Sequence, residues 1–310
     1  MRKVVLIALS LTVTIICAVG QGYTFRVLAN KGQNQIKKSG TASAVALKTG
    51  ATLSQGDELI ASQGAYIALM HKSGRTLEVK TAGKRKVVDL EKQVNVKSKS
   101  VSSRYAKFLA SKMAEKEDAS YRQRLNATGA VDRGTNEIDI LLPREVSVLG
   151  SYAIITWDAP NGIKKNEYIV SVKNIFGDEI HQEDVTGNVF NLDFASEKLK
   201  DNKELFIVSI QVKGNEKLGS GEIGIKKLEG KDAKDIQSNL DKLKAEVSEE
   251  DPINKIIYAS FFEENGLILD ALTQMEELIT ANPDIKDFEE LKKDMMERNG
   301  IKIFVERNKE

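Results

Sequence analysis

The chain has 310 residues and a mass of 34.3 kDa, which exceeds one ordinary domain and suits two or three. Its 46 basic and 45 acidic residues leave a net charge of +1, and its 29% charged and 41% hydrophobic residues are typical of soluble globular domains. This composition excludes a collagen, a disordered tail and a multi-span membrane protein. Two histidines and one cysteine cannot form a zinc site of the usual ligands, so we expect no metal and no cofactor.

The first twenty residues have the order of a secretory signal peptide. Arg2 and Lys3 precede the uncharged stretch Val4–Gly20, which ends in Ala18-Val19-Gly20 with small residues at the first and third positions. An uncleaved membrane anchor is the alternative, since residues 4–20 reach the short limit for a spanning helix. A third interpretation is a lipoprotein, in which Cys17 becomes the lipidated first residue.

Cleavage after Gly20 leaves a mature chain without cysteine and therefore without disulfides. An exported protein of this kind suits a bacterial envelope better than a small disulfide-built secreted module. We therefore predict an exported protein, periplasmic or associated with the cell envelope, that associates with the membrane through residues 4–20 if the segment is not cleaved.

Residues 21–100 are predicted to form a compact all-β domain with no helix of any length. Short runs such as Tyr66–Met70 and Thr76–Val79 contain apolar residues in strand-like patterns, and glycines follow one another about every ten residues. This part of the chain resembles the FecR-like domain of bacterial envelope proteins. The residues that carry the resemblance are Leu47, Gly50, Leu53, Gly56, Asp57, Leu59, Ile60, the Gly64 turn, the Tyr66–Met70 strand and the Ser73-Gly74 turn.

The FecR-like resemblance implies a second function. Family members that signal across the inner membrane carry a cytoplasmic segment and a membrane helix ahead of this domain. The alternative to an interaction module is therefore a membrane-anchored periplasmic sensor or regulator.

Residues 101–137 are predicted to be a helix and a linker. An apolar stripe on Val101, Tyr105, Phe108, Leu109 and Met113 indicates a helix running to about Asp118. Residues 119–136 show no periodicity and are typical of a linker.

Residues 138–229 are predicted to form a β-sandwich, with strands at 152–157, 167–172, 188–192 and 205–212. Three segments resemble a fibronectin type III module. Residues 155–160, Ile-Thr-Trp-Asp-Ala-Pro, resemble its second strand, residues 168–172 its third, and residues 217–222 the turn into its last. Because Trp157 lies between polar residues on a predicted strand, we expect its side chain to be buried between two sheets.

Residues 230–310 are predicted to be helical. Ile236, Leu240, Leu243 and Val247 mark a first amphipathic helix, Pro252 opens a second, and Pro283 separates a third from a fourth. The window from Lys255 to Asp284 is similar to a tetratricopeptide repeat. The residues at that repeat's small, aromatic, Gly, small and Pro positions are Ala259, Phe262, Gly266, Ala271 and Pro283. An unrelated helical bundle is the alternative.

The chain offers little material for catalysis. His71 and His181 fall in separate domains, so we expect each to be structural. Paired acidic residues on the helices point about a hundred degrees apart and do not converge as glycosidase carboxylates must. We predict no catalytic residue and no enzyme activity. The rival hypothesis, an accessory of a carbohydrate-active enzyme or a degenerate hydrolase, requires a cleft with two converging carboxylates or a metal.

The net charge of the whole chain is close to zero, but the charges are distributed unevenly along it. Residues 21–130 carry a net charge of +12, residues 131–230 of −5 and residues 231–310 of −8. Lys84, Arg85 and Lys86, with Lys80 nearby, form the densest basic cluster, which we place on a hairpin loop after Gly83. Such a cluster either solubilises a turn or contacts an anion, namely a lipid headgroup, an envelope polysaccharide or an acidic partner.

These patterns together predict a non-enzymatic envelope protein that acts as an interaction or scaffold module. Its partners are expected to be an envelope protein or an anionic envelope surface. Nucleic acid is disfavoured by the export signal and by the lack of interleaved surface aromatic residues.

Overall fold

The computed structural model describes residues 22–94, 100–116, 138–158, 167–200, 205–248 and 251–301. The predicted signal segment at residues 1–20 and the linker predicted at 119–136 lie outside these ranges. Within them the predicted fold class is confirmed, since the described strands all precede residue 228 and the described residues after it form helices. None of the helices in these ranges is both long and apolar enough to cross a membrane.

The first β unit consists of two four-stranded antiparallel sheets. Its strands are β1 Phe25–Lys31, β2 Gln35–Lys37, β3 Ala44–Ala46, β4 Thr52–Leu53, β5 Glu58–Ala61, β6 Tyr66–His71, β7 Thr76–Val79 and β8 Gly83–Lys86. One sheet has the order β4-β1-β6-β7 and the other the order β3-β2-β5-β8. Phe25, Leu53, Leu59 and Ile67 are fully buried between them.

The prediction that this unit has no helix is wrong. A short helix, α1 Val87–Gln93, follows β8 directly, and its Val87 and Leu90 are buried in the core of the unit. Seven residues with two buried apolar positions give too little periodicity to be recognised in the sequence.

The second β unit is a two-layer sandwich. Its strands are β9 Asp139–Ile140, β10 Glu145–Val148, β11 Tyr152–Asp158, β12 Glu167–Lys173, β13 Glu179–Thr186, β14 Val189–Asp193, β15 Leu205–Val212, β16 Asn215–Gly219 and β17 Ile223–Lys227. One sheet has the order β14-β11-β9 and the other the order β10-β17-β15-β12-β13, with β16 paired to β15. Trp157 is fully buried between the layers, and its ring meets Tyr168 edge-on at 5.2 Å between centroids.

The described ranges contain five longer helices: α2 Val101–Lys116, α3 Gly230–Glu246, α4 Pro252–Glu264, α5 Ile268–Ala281 and α6 Asp287–Arg298. Helices α4 and α5 pack as an antiparallel pair, and Gly266 turns the chain between them with a φ of +74°. Pro252 occupies the first turn of α4, where its missing N–H breaks no hydrogen bond.

Helix α2 belongs spatially to the C-terminal helices, although a hundred residues separate them in sequence. It packs on α3 and α4, and Tyr105 meets Phe261 edge-on at 4.9 Å between ring centroids. A single cluster of buried apolar side chains joins these helices, the sandwich and one face of the first β unit. The described part of the chain is thus packed continuously from one β unit to the other through the helices.

Candidate functional site

The structure places the predicted basic cluster on a strand, so its placement on a hairpin loop is wrong. Lys84, Arg85 and Lys86 lie in β8, at the edge of the sheet and paired with β5. The reason is that Gly83, read as a turn glycine, is the first residue of the strand and lies opposite Ala61. A strand of mostly charged residues shows none of the apolar alternation by which strands are recognised.

Successive side chains of β8 point to opposite sides of the sheet, so the residues of the predicted basic cluster do not share one surface. Lys84 pairs with Ile60 and Lys86 with Glu58, and both lysines are exposed on the outer side of the sheet. Lys37 pairs with Glu58 from the other neighbouring strand and therefore lies on the same side. We call the surface formed by Lys37, Ile60, Lys84 and Lys86, with Glu58 between Lys37 and Lys86, the basic face.

Arg85 and Lys80 point elsewhere. Arg85 pairs with the buried Leu59 on the opposite side of the sheet, and its Nη2 donates to Thr81 Oγ1 at 2.5 Å. Lys80 follows β7 in the other sheet, and its Nζ lies 2.5 Å from Glu78 Oε2 and 5.8 Å from the centroid of the Tyr66 ring. Of the four predicted residues, Lys84 and Lys86 therefore share one exposed surface, whereas the exposed Lys80 lies in the other sheet and is paired with Glu78.

His71 is a buried structural residue. The backbone N–H of Ser73 donates to His71 Nδ1 at 3.1 Å, so Nδ1 is an acceptor in the neutral ring and the proton lies on Nε2. Nε2 faces Glu91 Oε1 at 3.3 Å. Hydrogen bonds from Gln55, His71 and Lys72 hold the pKa of Glu91 below its usual value.

His181 lies on β13 of the sandwich, in a different unit from His71. Its ring stacks near Phe190 at 6.3 Å between centroids, and its Nε2 faces Glu183 at 3.3 Å. Within the described ranges, no three side chains of the His, Cys, Asp and Glu types are grouped so that they could hold a metal ion.

Two polar residues of α5 bind the backbone of the sandwich, and neither was singled out from the sequence. Asp270 Oδ1 accepts the N–H of Gly150 at 2.7 Å and Oδ2 accepts that of Leu149 at 3.0 Å. Thr273 Oγ1 accepts the N–H of Ile154 at 3.0 Å, on β11. We call Asp270 and Thr273 the α5 clasp.

The carboxylate of Asp270 in the α5 clasp is buried. Asp270 is 4% exposed, and burial raises its pKa to about 6, against the opposing effect of the two N–H donors, Leu149 and Gly150. A carboxylate in this position is held mainly by backbone dipoles. The only signal in the sequence is an acidic residue inside an otherwise apolar helical stretch, Ile268–Leu272.

Carboxylates also join the helices to the first β unit and to one another. Asp287, at the start of α6, accepts the N–H of Asn30 at 2.6 Å and a hydrogen bond from Thr49. Glu246, at the end of α3, accepts the N–H groups of Val101 and Ser102 at the start of α2, at 2.8 and 3.0 Å. The helices are thus bonded through side chains to both β units.

Two further surfaces have the character of contact sites. An open groove of about 710 Å³ runs along α3 and is lined by Ala233, Gln237, Asp241 and Ala245, with Leu149 of the sandwich on its other side. The loop between β12 and β13 exposes Ile175 and Phe176, the latter with 82% of its surface in solvent. Neither residue was singled out from the sequence, although two large apolar residues inside a turn are the signal that could have revealed them.

No family model matches the chain. No curated protein matches it either. Four chains of solved structures do match, and one of them is described as "Structures of Clostridium thermocellum CbhA fibronectin(III)-like modules". The identity is 13%, the match covers 65% of this chain and 83% of that chain, and the TM-score is 0.21. The described residues between 138 and 229 form a β-sandwich, with two sheets packed around a buried tryptophan.

Proposed function

We propose that this chain is an exported, non-enzymatic scaffold protein of a bacterial cell envelope, which holds two β units in a fixed relation and binds through their surfaces. The observation that carries the proposal is the set of side-chain bonds from the helices to both β units. Asp270 and Thr273 bind the sandwich, and Asp287 binds the first β unit.

Buried joints of this kind suit a scaffold better than a chain of loosely tethered modules. Tyr66 of the first β unit meets Phe288 of α6 edge-on at 6.1 Å between ring centroids, so the joint is apolar as well as polar. Gly74 lies so close to α2 that a Cβ there would be 2.8 Å from Ser103 Cα. Relative motion of the units would break these contacts, so surfaces on different units keep a fixed spacing.

The basic face is the proposed contact with an acidic partner or an anionic envelope surface. Lys84 and Lys86 are exposed side by side on a rigid sheet, in the part of the chain that carries a net charge of +12. Clustered cations raise the local potential and speed association with anionic surfaces. The FecR-like and tetratricopeptide-like resemblances are part of the same proposal, since both kinds of domain would serve binding.

Cosedimentation with lipid vesicles tests the anionic contact. The mature chain should bind vesicles containing an anionic lipid in low salt and release them as salt screens the charges. Lys84→Glu with Lys86→Glu should lose this binding, whereas the matched control Lys231→Glu with Lys234→Glu, which changes the net charge equally at two exposed positions of α3, should keep it. Equal binding by both variants would remove the basic face from the proposal.

Export is tested separately by the mass of the mature N-terminus in a bacterial host. A chain that begins at Gln21 and fractionates with the periplasm or envelope supports the scaffold. A chain that retains Met1 and fractionates with the inner membrane favours the anchored sensor or regulator, and a cytosolic chain contradicts both.

A further inference from the structure

The loop between β12 and β13 is built to hold Phe176 in solvent. Asn174 Oδ1 accepts the N–H groups of Phe176 and Asp178 at 2.9 and 3.0 Å, and Asn174 Nδ2 donates to Asp178 Oδ2 at 3.0 Å. The N–H of Gly177 donates to the carbonyl of Asn174 at 3.1 Å, with a φ of +85° that favours glycine. We call Ile175 and Phe176 the apolar tip.

A fixed loop that exposes an aromatic ring has the properties of an interface anchor. The loop is already ordered by its own hydrogen bonds, so little conformational entropy is lost when a partner covers it. Phe176 is 82% exposed, and a ring of this size gains substantially from burial. The sandwich itself gains nothing from holding the ring in water.

The charges beside the tip indicate what covers it. Asp178 and Glu179 are exposed next to Phe176, and the positive charge of Lys173 at the end of β12 is balanced by Glu222, 3.3 Å from its Nζ. Acidic flanks are repelled by an anionic membrane, which disfavours insertion into lipid. They favour a protein surface on which apolar and basic groups lie side by side.

The basic face has that composition. Ile60 is partly exposed and lies directly opposite Lys84 in the sheet. The neighbouring row is Lys37, Glu58 and Lys86, so three lysines on this face outnumber one carboxylate. The unit that carries this face belongs to the segment of net charge +12, and the sandwich belongs to a segment of net charge −5. We propose that the apolar tip of one copy of this chain binds the basic face of a second copy.

This inference rests on the proposed function, because it names the acidic partner of the basic face. The two surfaces are different, so the contact is head-to-tail and leaves one tip and one basic face free at the ends. A dimer can therefore extend into longer assemblies, and salt should weaken each contact.

Sedimentation velocity of the purified mature chain tests the contact. In low salt the wild type should form dimers and longer species as concentration rises, and high salt should return it to the monomer. Phe176→Ser should weaken association by about thirtyfold, as expected for an aromatic anchor. The matched control Val189→Ser, which alters a side chain 45% exposed on β14, should associate as the wild type does.

Mixing two variants distinguishes a head-to-tail contact from any other. Phe176→Ser keeps its basic face, and Lys84→Glu with Lys86→Glu keeps its apolar tip. Each should be monomeric alone, whereas an equal mixture should form dimers and nothing longer. A wild type that stays monomeric, association unaffected by Phe176→Ser, or a mixture that stays monomeric would overturn the inference.

Failure here is separable from failure of the proposed function. Phe176→Ser should bind anionic vesicles at least as well as the wild type does, because its basic face is unchanged and no apolar tip competes for it. A monomeric wild type whose vesicle binding still depends on Lys84 and Lys86 leaves the scaffold proposal intact and removes only the second copy. Vesicle binding that is lost in Phe176→Ser would place the tip in lipid and overturn the inference.

Discussion

Asp270 on α5 accepts the backbone N–H of Gly150 in the sandwich, with 2.7 Å between Oδ1 and N. The two residues are separated by 120 positions in the chain, and the bond is made where the turn between β10 and β11 meets the helix. Gly150 leaves room for the carboxylate, since a Cβ on it would lie 2.9 Å from Oδ1. The hydrogen bond between the sandwich and α5 therefore requires both the carboxylate of Asp270 and the absence of a side chain at Gly150.

Asp270→Asn should destabilise the protein. The amide has one oxygen, so it can accept the N–H of Gly150 or that of Leu149 but leaves the other without an acceptor. Leaving one N–H unsatisfied costs about 1–3 kcal/mol of unfolding free energy, to be measured by urea denaturation at pH 4.5, below the raised pKa of Asp270. Asp235→Asn, at an exposed position of α3, is the matched control and should change stability little. Equal stability of the two variants would contradict a structural role for the clasp.

The same residue gives the protein a pH dependence of known sign. Burial raises the pKa of Asp270 from 3.8 to about 6, so the folded chain binds this proton more tightly than the unfolded chain does. Its contribution to the unfolding free energy is therefore complete below the unfolded pKa and is lost as pH rises through 6. A shift of this size corresponds to about 3 kcal/mol at most. The difference between wild type and Asp270→Asn, measured by urea denaturation from pH 4.5 to 7, should shrink as pH rises.

Gly150→Ala should be more costly than an ordinary glycine substitution. The added methyl would meet Asp270 Oδ1 at 2.9 Å and the carbonyl oxygen of Tyr152 at 3.2 Å. Relief of these contacts displaces the carboxylate, and we expect a loss of about 1–3 kcal/mol in the unfolding free energy. Gly221→Ala is the control, because nothing lies within 4 Å of its Cβ position. The idea fails if both substitutions give the same urea midpoint.

Glu246→Gln should weaken the start of α2, because Glu246 supplies acceptors for the N–H groups of Val101 and Ser102. Burial opposes its ionisation, but the donors outweigh burial and hold the pKa of Glu246 below its usual value. The stabilisation is thus present at neutral pH and lost as pH falls below the ordinary glutamate range. A thermal denaturation series should show a deficit of about 1 kcal/mol at pH 7 that shrinks in acid. Glu145→Gln, exposed on β10, should show no deficit at either pH.

The apolar elements could be predicted from the sequence. The strands expected at 152–157, 167–172 and 205–212 are observed as β11, β12 and β15 within one residue at each end. The apolar stripe of α2 also placed that helix, whose Tyr105 and Leu109 are buried. Periodicity succeeds in these segments because one face of each is packed against a core.

The polar features could not be predicted in the same way. Strand β13 alternates weakly, because it is an edge strand with many exposed charged residues, and β8 is almost entirely basic. The α5 clasp depends on backbone N–H groups that fold into reach from a distant turn, so no local pattern reveals it. Lys84 and Lys86 were found from charge density, but only the register of β8 separates them from Arg85.

Trp157, the only tryptophan of the chain, can report whether the sandwich and the helices unfold together. Its ring is fully buried in the sandwich, whereas far-ultraviolet circular dichroism at 222 nm follows helices α2–α6. Because the α5 clasp and a shared apolar core join the two parts, tryptophan fluorescence and helical dichroism should give coincident urea transitions in the wild type. Combining Asp270→Asn with Thr273→Val removes acceptors that α5 offers to the backbone of the sandwich and should separate the two transitions. Separated transitions already in the wild type would show that the joint does not couple the two parts, and the fixed scaffold would then lose its basis.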